Sequence, residues 1–363
     1  MNDQDYMKLA IDLAKATVGQ TSPNPAVGAV VVHHGEIVGM GAHLKAGEAH
    51  AEVQALRMAG ERARGATIYV TLEPCSHFGK TPPCADLIIE KELKRVVVAS
   101  NDPNPLVSGK GLERIRQAGI TVETGILKEQ ADQLNKFFFH YMKKKVPFVT
   151  LKTASSVDGK TATVTGESQW ITGEESRQDV HQLRHQHDSI LVGVNTVITD
   201  NPSLTTRLPH GGKNPIRIIL DTYLRTPEES QVIKDQAAPT WIMTGSQIDQ
   251  EKKRRLMKQG HVTIYELPVD KIKIKDVLHL LGEKLVTSLL VEGGATIHES
   301  FVKEGCFDEI IMYFAPKIIG GEKAPSIFGG IGISKLSQAI HMNIESIDRI
   351  GRDVKIIARP ERR

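Results

Sequence analysis

Three cysteines among 363 residues are too few for a disulfide framework, which points to a reducing compartment such as the cytosol. Aromatic residues make up only 5% of the chain, and the net charge is only +3 with no sustained basic run. Both argue against a nucleic-acid-binding surface, and Lys143-Lys144-Lys145 reads as a solvated linker rather than a phosphate patch. The N-terminus, Met-Asn-Asp-Gln-Asp, lacks a basic segment followed by an apolar core, so no signal peptide is expected. No run of about 18 apolar residues is present to cross a membrane. The expectation is a cytoplasmic chain with no membrane or nucleic-acid partner. G-x-G-x-x-G between a strand and a helix is also missing, which disfavours a Rossmann dinucleotide fold. Gly79-Lys80-Thr81 and Gly159-Lys160-Thr161 look like P-loop endings, but Pro74 and Ala154 stand where the first P-loop glycine would be.

What is present begins with His50-Ala51-Glu52, followed by Pro74-Cys75 and then Cys84. A histidine and two cysteines make a three-ligand zinc set with one coordination position open for water, as in catalytic zinc sites. Glu52 adds a carboxylate that is not a ligand. It can take the water's proton and hand it to a leaving amine. This is the H-x-E…P-C…C signature of zinc-dependent nucleobase deaminases, except that eight residues rather than two separate the cysteines. Cys75 follows the apolar run Ala66–Leu72, Pro82-Pro83 opens the helix carrying Cys84, and His50 opens a helix with Val53, Leu56 and Met58. Amides at helix N-termini favour thiolates. Cys306 reads as a core residue.

At this length two domains are expected. The first half alternates: a helix over Asp5–Val18, strands Val27–Val32 and Glu36–Gly41 around a His34-Gly35 turn, helix 50–60, strand 66–72, helix 83–92 and strand Arg95–Ser100. Helix 109–118, strand 121–127 and helix 128–142 complete a layered α/β unit. A boundary falls near Tyr141–Pro147. The second half alternates again, with strands at 148–154, 188–194, 215–221, 239–244, 262–266, 287–292 and 308–315 and helices such as Glu174–His185 between them. Its strand ends are polar. Lys152 to Lys160 follows the first, Val192 to Thr205 the second, and Asp221-Thr222 closes the third. Val291-Glu292-Gly293-Gly294 ends another strand and opens a helix whose amides can approach a phosphate. Ligands in open α/β sheets bind at strand carboxyl ends, so these segments describe a cleft for a polar, phosphorylated ligand.

Over essentially its whole length the chain resembles the bifunctional deaminase/reductase family of riboflavin biosynthesis. On the first half the resemblance rests on Ser22-Pro-Asn-Pro-Ala-Val-Gly28, Gly47-Glu-Ala-His-Ala-Glu52, Thr71-Leu-Glu-Pro-Cys75 through Cys84 and Asn101-Asp-Pro-Asn-Pro105. The long cysteine spacer is this family's own. On the second half it rests on Leu151 to Lys160, Trp170-Ile-Thr-Gly173, Val192-Gly-Val-Asn-Thr196, Asp200-Asn-Pro-Ser-Leu-Thr205 and Val291-Glu-Gly-Gly294.

The resemblance implies an α/β chain with a cytidine-deaminase-like three-layer domain over 1–145 and a dihydrofolate-reductase-like domain over 146–363. It implies one zinc ion on His50, Cys75 and Cys84, and NADPH in the second domain. The implied reactions are deamination of a phosphoribosylamino-pyrimidine, then reduction of its ribosyl group to ribityl. Asn24, His43, His77, Lys80, Asp102 and Asn104 stand where the family binds the first substrate. Ala154, Trp170, Thr196, Asp200, Thr222 and Gly294-Ala295-Thr296-Ile297-His298-Glu299-Ser300 fall against the cofactor. Ser168, Arg184, Leu204, Arg207 and Glu292 face the second substrate, with the two arginines suited to its phosphate. Lys152 and Asp158 are the catalytic candidates of that step, and a homo-oligomer is expected.

Three rivals remain at this point. The second half could be a non-catalytic binding or oligomerisation module. The first could serve a nucleic-acid deaminase, which the charge and aromatic content disfavour. His77 could be a fourth ligand of a purely structural zinc, which would leave Glu52 without a purpose.

Overall fold

The computed structural model describes residues 1–76, 82–104 and 108–361. The chain divides into two compact units, Met1–Lys145 and Val146–Arg363.

The first unit is built on α1 (Asp3–Lys15), β1 (Gly28–His33), β2 (Glu36–Ala42), α2 (Ala51–Ala59), β3 (Thr67–Leu72) and α3 (Cys84–Glu90). It continues with β4 (Arg95–Ser100), α4 (Lys110–Gln117), β5 (Thr121–Thr124), α5 (Lys128–Leu134) and α6 (Lys136–Lys144). The sheet order is β2-β1-β3-β4-β5, with β1 antiparallel to both neighbours and β3, β4 and β5 parallel. Successive strand side chains point to opposite faces, and the valines of β4 show the result. Val97 packs with Met7 and Ile11 of α1, whereas Val96 and Val98 pack with Leu56, Ile88 and Ile115 of the helices on the other face. The unit is therefore three layers, helix, sheet and helix.

The continuous helix expected over 128–142 is broken. Asn135 is buried, and its side chain pairs with Ala26 across the chain, Oδ1 accepting from Ala26 N at 2.8 Å and Nδ2 donating to Ala26 O at 2.9 Å. The expected strand 121–127 ends at Thr124.

The second unit is a nine-stranded mixed sheet. Its strands are β6 (Phe148–Ser156), β7 (Ser189–Gly193), β8 (Ile216–Leu220), β9 (Thr240–Thr244), β10 (Val262–Glu266), β11 (Ser288–Val291), β12 (Glu309–Ala315), β13 (Met342–Ile350) and β14 (Asp353–Pro360). The order is β10-β9-β8-β7-β11-β6-β12-β14-β13. All are parallel from β10 to β12, and the last two form an antiparallel hairpin added at that edge. The helices are α7 (Glu174–Gln186), α8 (Val194–Asp200), α9 (Gln231–Lys234), α10 (Gln250–Met257), α11 (Ile274–Glu283) and α12 (Ala295–Lys303). Leu191, Ile218 and Leu289 face α11 and α12, while Ile190, Val192 and Ile219 face the α8–α10 side. The seven expected strands are all present. The hairpin was not foreseen, and α8 forms within the polar segment Val192 to Thr205 that follows the second strand. Among the described residues no helix is long and apolar enough to cross a membrane.

Candidate active sites

In the first unit His50 is the N-cap of α2, Glu52 lies in that helix's first turn, and Cys84 is the first residue of α3. Two glycines bring α2 to the sheet. A Cβ on Gly39 would lie 2.1 Å from the Ala55 carbonyl oxygen, and one on Gly41 2.3 Å from that of Ala51. This close approach sets His50 beside the end of β3. His50 Nδ1 lies 3.3 Å from Cys84 Sγ and 3.7 Å from Cys75 Sγ, and the Cys84 amide donates to Cys75 Sγ at 3.3 Å. All three ligand atoms fall within 4.8 Å of one another. A hydrogen bond from Cys84 and another from His50 hold the Cys75 thiol down to about 4, while that same bond and burial push Cys84 up. Two sulfurs and one imidazole nitrogen converging in this way fit a tetrahedral zinc ion with a fourth position open. Glu52 is 3% exposed, and burial pushes its carboxyl up to about 6.

Around this centre, Asn24 Nδ2 contacts His43 Nε2 at 3.1 Å and His43 Nδ1 contacts Ala49 O at 3.3 Å. The His43 ring meets the His50 ring edge-on at 5.3 Å, and burial lowers its pKa, which favours the neutral imidazole. Asp102 and Asn104 lie beyond β4, with Asp102 Oδ1 accepting from the Asn104 amide at 2.8 Å. One carboxylate organises that segment, and sequence reasoning gave it no role. Glu73 is buried and accepts the amides of Asp102 at 3.3 Å, Gly109 at 3.0 Å and Gly111 at 3.2 Å. Its place beside Pro74-Cys75 was the available signal. His77 and Lys80 lie outside the described residues.

In the second unit Glu292 follows β11 directly, with its side chain 7% exposed. Arg184 grips it with two bonds, Nε at 2.7 Å and Nη2 at 3.0 Å, and Lys152 Nζ from β6 lies 3.3 Å away. Burial alone would raise the Glu292 carboxyl, but the Arg184 guanidinium and the Lys152 ammonium hold it well below the usual carboxylate range. The third donor of Arg184 goes to Thr205 O at 3.0 Å. Three of its five N–H donors are thus engaged within the protein. Arg207 is exposed beside it. His181, which the sequence did not single out, faces the same arginines. Burial, then Arg184 and Arg207, push its imidazole down to about 4. Leu204 is buried, and Ser168 is exposed.

Asp158 does not join this group. It is exposed in the turn after β6 and accepts the amides of Ile319 at 3.1 Å and Gly320 at 2.7 Å. About 13 Å of strand separates that turn from Lys152, so its expected catalytic role is withdrawn.

Beside Glu292 a cavity of about 1100 Å³ opens over the carboxyl ends of β7, β8 and β11. Thr196, Thr222, Gly294 to Ile297, Glu299 and Ser300 line it. A Cβ on Gly294 would meet nothing within 4 Å, so the backbone there is open to a ligand. The volume and this bare strand-to-helix turn fit a dinucleotide. Ala154, Trp170, Asp200 and His298 are not among the lining residues. Ala154 packs under Tyr313, Asp200 ends α8, and His298 is buried against Phe328. Trp170 is 62% exposed with the Arg177 guanidinium 4.8 Å above its ring.

Fold and sites together define a two-unit enzyme class, a zinc hydrolase of the nucleobase-deaminase kind joined to an NADPH-dependent reductase. Comparison with known proteins makes this particular. The family model described as the RibD C-terminal domain matches residues 147–356, and the cytidine and deoxycytidylate deaminase zinc-binding region matches 1–100. The riboflavin biosynthesis protein RibD of Bacillus amyloliquefaciens is 54% identical over 99% of this chain and 96% of its own length. That of Escherichia coli is 41% identical, covering 98% of each. Among solved structures, form 1 of Acinetobacter baumannii RibD has a TM-score of 0.90 at 38% identity, covering 99% of both chains. The Thermotoga maritima diaminohydroxyphosphoribosylaminopyrimidine deaminase/5-amino-6-(5-phosphoribosylamino)uracil reductase has a TM-score of 0.87 at 37% identity, covering 99% and 98%. The chain belongs to the RibD family of bifunctional riboflavin-biosynthesis enzymes, with deaminase and reductase in one polypeptide.

Proposed function

We propose that the first unit deaminates 2,5-diamino-6-(5-phosphoribosylamino)pyrimidin-4(3H)-one. The second unit then reduces the ribosyl group of the product, giving 5-amino-6-(5-phosphoribitylamino)uracil. The observation that carries this reading is the convergence of His50, Cys75 and Cys84 within 4.8 Å beside a buried Glu52.

Bound at those three residues, zinc supplies a Lewis acid that makes water a competent nucleophile near neutral pH. Glu52 takes the proton of the attacking water and delivers it to departing ammonia; its carboxyl, raised to about 6, suits both duties. Asn24 and His43 line the base side of this centre, and Asp102 and Asn104 contact the substrate from the loop that Glu73 holds. His77 and Lys80 complete the substrate set. In the second unit the residues lining the cavity would hold NADPH, which would supply the hydride needed at C1′ of the opened sugar. Lys152, held by Glu292 at 3.3 Å, is the proton-bearing group beside that carbon. Arg207, with Ser168 and Leu204, faces the sugar phosphate. The cofactor contacts are those of Thr196, Thr222, Gly294 to Ile297, Glu299 and Ser300.

The test is a two-step assay on purified protein, following ammonia release and NADPH oxidation separately. Both signals, the first abolished by a zinc chelator, are expected. Ammonia without NADPH oxidation would reduce the second unit to a binding module. We also propose a cytoplasmic homo-oligomer, supported by the unpaired cysteines and by the edge strand β13, which exposes Ile344 and Ile347 by 60% and 62%. Light scattering reads the mass directly.

A further inference from the structure

Helix α7 has little apolar surface to hold it. Of its 13 residues only Ser176, Val180 and Leu183 are buried, and the two apolar ones pack with Leu290, Ile311 and Tyr313 of the sheet. Two apolar contacts can bury a helix without fixing where it stops along its axis. That position matters here. One residue of slip would move Arg184 by about 1.5 Å and turn it by about 100°, which would break both of its bonds to Glu292.

The β13–β14 hairpin supplies the register that the apolar face lacks. Its turn passes through Gly351 at φ 56°, a left-handed conformation that favours glycine, and delivers Asp353 at the start of β14. Asp353 is wholly buried. Its Oδ2 accepts from the Gly173 amide at 2.7 Å and from the Ser176 hydroxyl at 2.6 Å. Gly173 is the N-cap of α7 and has no side chain to cap the helix, so a carboxylate 180 positions away does so. Two residues further along β14, Lys355 Nζ donates to Asp179 Oδ2 at 2.7 Å, and the Tyr313 hydroxyl donates to the same oxygen. Lys355 and Tyr313 are register partners across β14 and β12. These anchors meet α7 about one turn apart, at Ser176 and Asp179, and so fix both its axial position and its rotation. Arg184 lies about 12 Å along the axis from Ser176.

We infer that Asp353, with Lys355, is a positioning residue of the reductase. The hairpin sets the register of α7, and through it the grip of Arg184 on Glu292 beside Lys152. The inference rests on the proposed roles of Glu292 and Lys152 at the reacting carbon. Helix α7 lends no residue to the cavity over β7, β8 and β11, so the hairpin acts on the substrate end of the site and not on cofactor binding.

Steady-state kinetics of the full chain with deaminated substrate and NADPH test this. Asp353→Ala is expected to raise KM for the deaminated substrate at least about tenfold. KM for NADPH should stay within about twofold, ammonia release should be unchanged, and calorimetry should find NADPH bound at wild-type stoichiometry. Asp353→Asn keeps an acceptor oxygen for Gly173 and Ser176 and should return the substrate KM to within about threefold of wild type. A fall in kcat with both KM values unchanged would reflect only a smaller folded fraction, and it overturns the inference. Failure of Asp353→Asn to rescue does the same. Should Asp353→Ala bind no NADPH, Lys355→Met carries the test, because it leaves the cap in place. It should raise the substrate KM at least about threefold, and an unchanged value overturns the inference. Arg184→Ala separates the inference from its basis. An unchanged substrate KM there removes the assigned site itself, whereas a raised one beside an unchanged Asp353→Ala overturns the role of the hairpin alone.

Discussion

Glu52 is a buried carboxylate whose only escape from a low-dielectric site is to carry a proton part of the time. Glu52→Ala is expected to lower ammonia release by about 100-fold or more. Zinc content by atomic absorption should be unchanged, as should NADPH oxidation with deaminated substrate supplied. Asp3 shows the opposite shift. The Arg95 guanidinium and then the Tyr69 hydroxyl hold its carboxyl down to about 2, against 3.8 for the free group. A carboxyl lowered on folding stabilises above its unfolded value and loses that contribution as pH falls through its folded one. Asp3 is 36% exposed, so screening leaves about 1 kcal/mol. Asp3→Asn should therefore cost about that much at pH 7 and progressively less from about pH 4 towards 2, read by urea unfolding. The zinc ligands and Glu52 were legible because their chemistry demands those residue types at short separations. Glu73 and His181 were not, because only folding gives Glu73 its three amides and His181 its arginines.

The contact between α2 and β2 repeats. Gly39 meets the carbonyl of Ala55, and Gly41 meets that of Ala51. Four helix residues advance about 6 Å and two strand residues about 6.6 Å, so helix and strand stay in step over both contacts. Gly41→Ala would force them apart, costing about 1–3 kcal/mol and displacing His50, and a weaker zinc affinity in competition with a chelating dye should report it. Periodicity located most helices and strands because each has one buried face. It failed at Asn135, where the apolar pattern of Ala131, Phe138 and Phe139 runs on through the break. The cause lies at Ala26, 109 positions away. It also failed at β13, whose residues are largely exposed and therefore carry no core pattern.

Among the described residues each of the five hydrophobic clusters draws on one unit. Removing zinc with a chelator is therefore expected to abolish ammonia release and to lower the unfolding temperature of the first unit alone. NADPH oxidation with deaminated substrate should continue, which calorimetry and the coupled assay would show together. The division into two chemistries was legible from the motifs, whereas the hairpin that closes the second sheet was not. Separate cores also mean that a lesion in one half leaves the other half a folded catalyst. A preparation broken at Glu52 and another broken at Glu292, each unable to complete the sequence, should do so when mixed. In genetic terms, two defective copies of this one gene would complement each other.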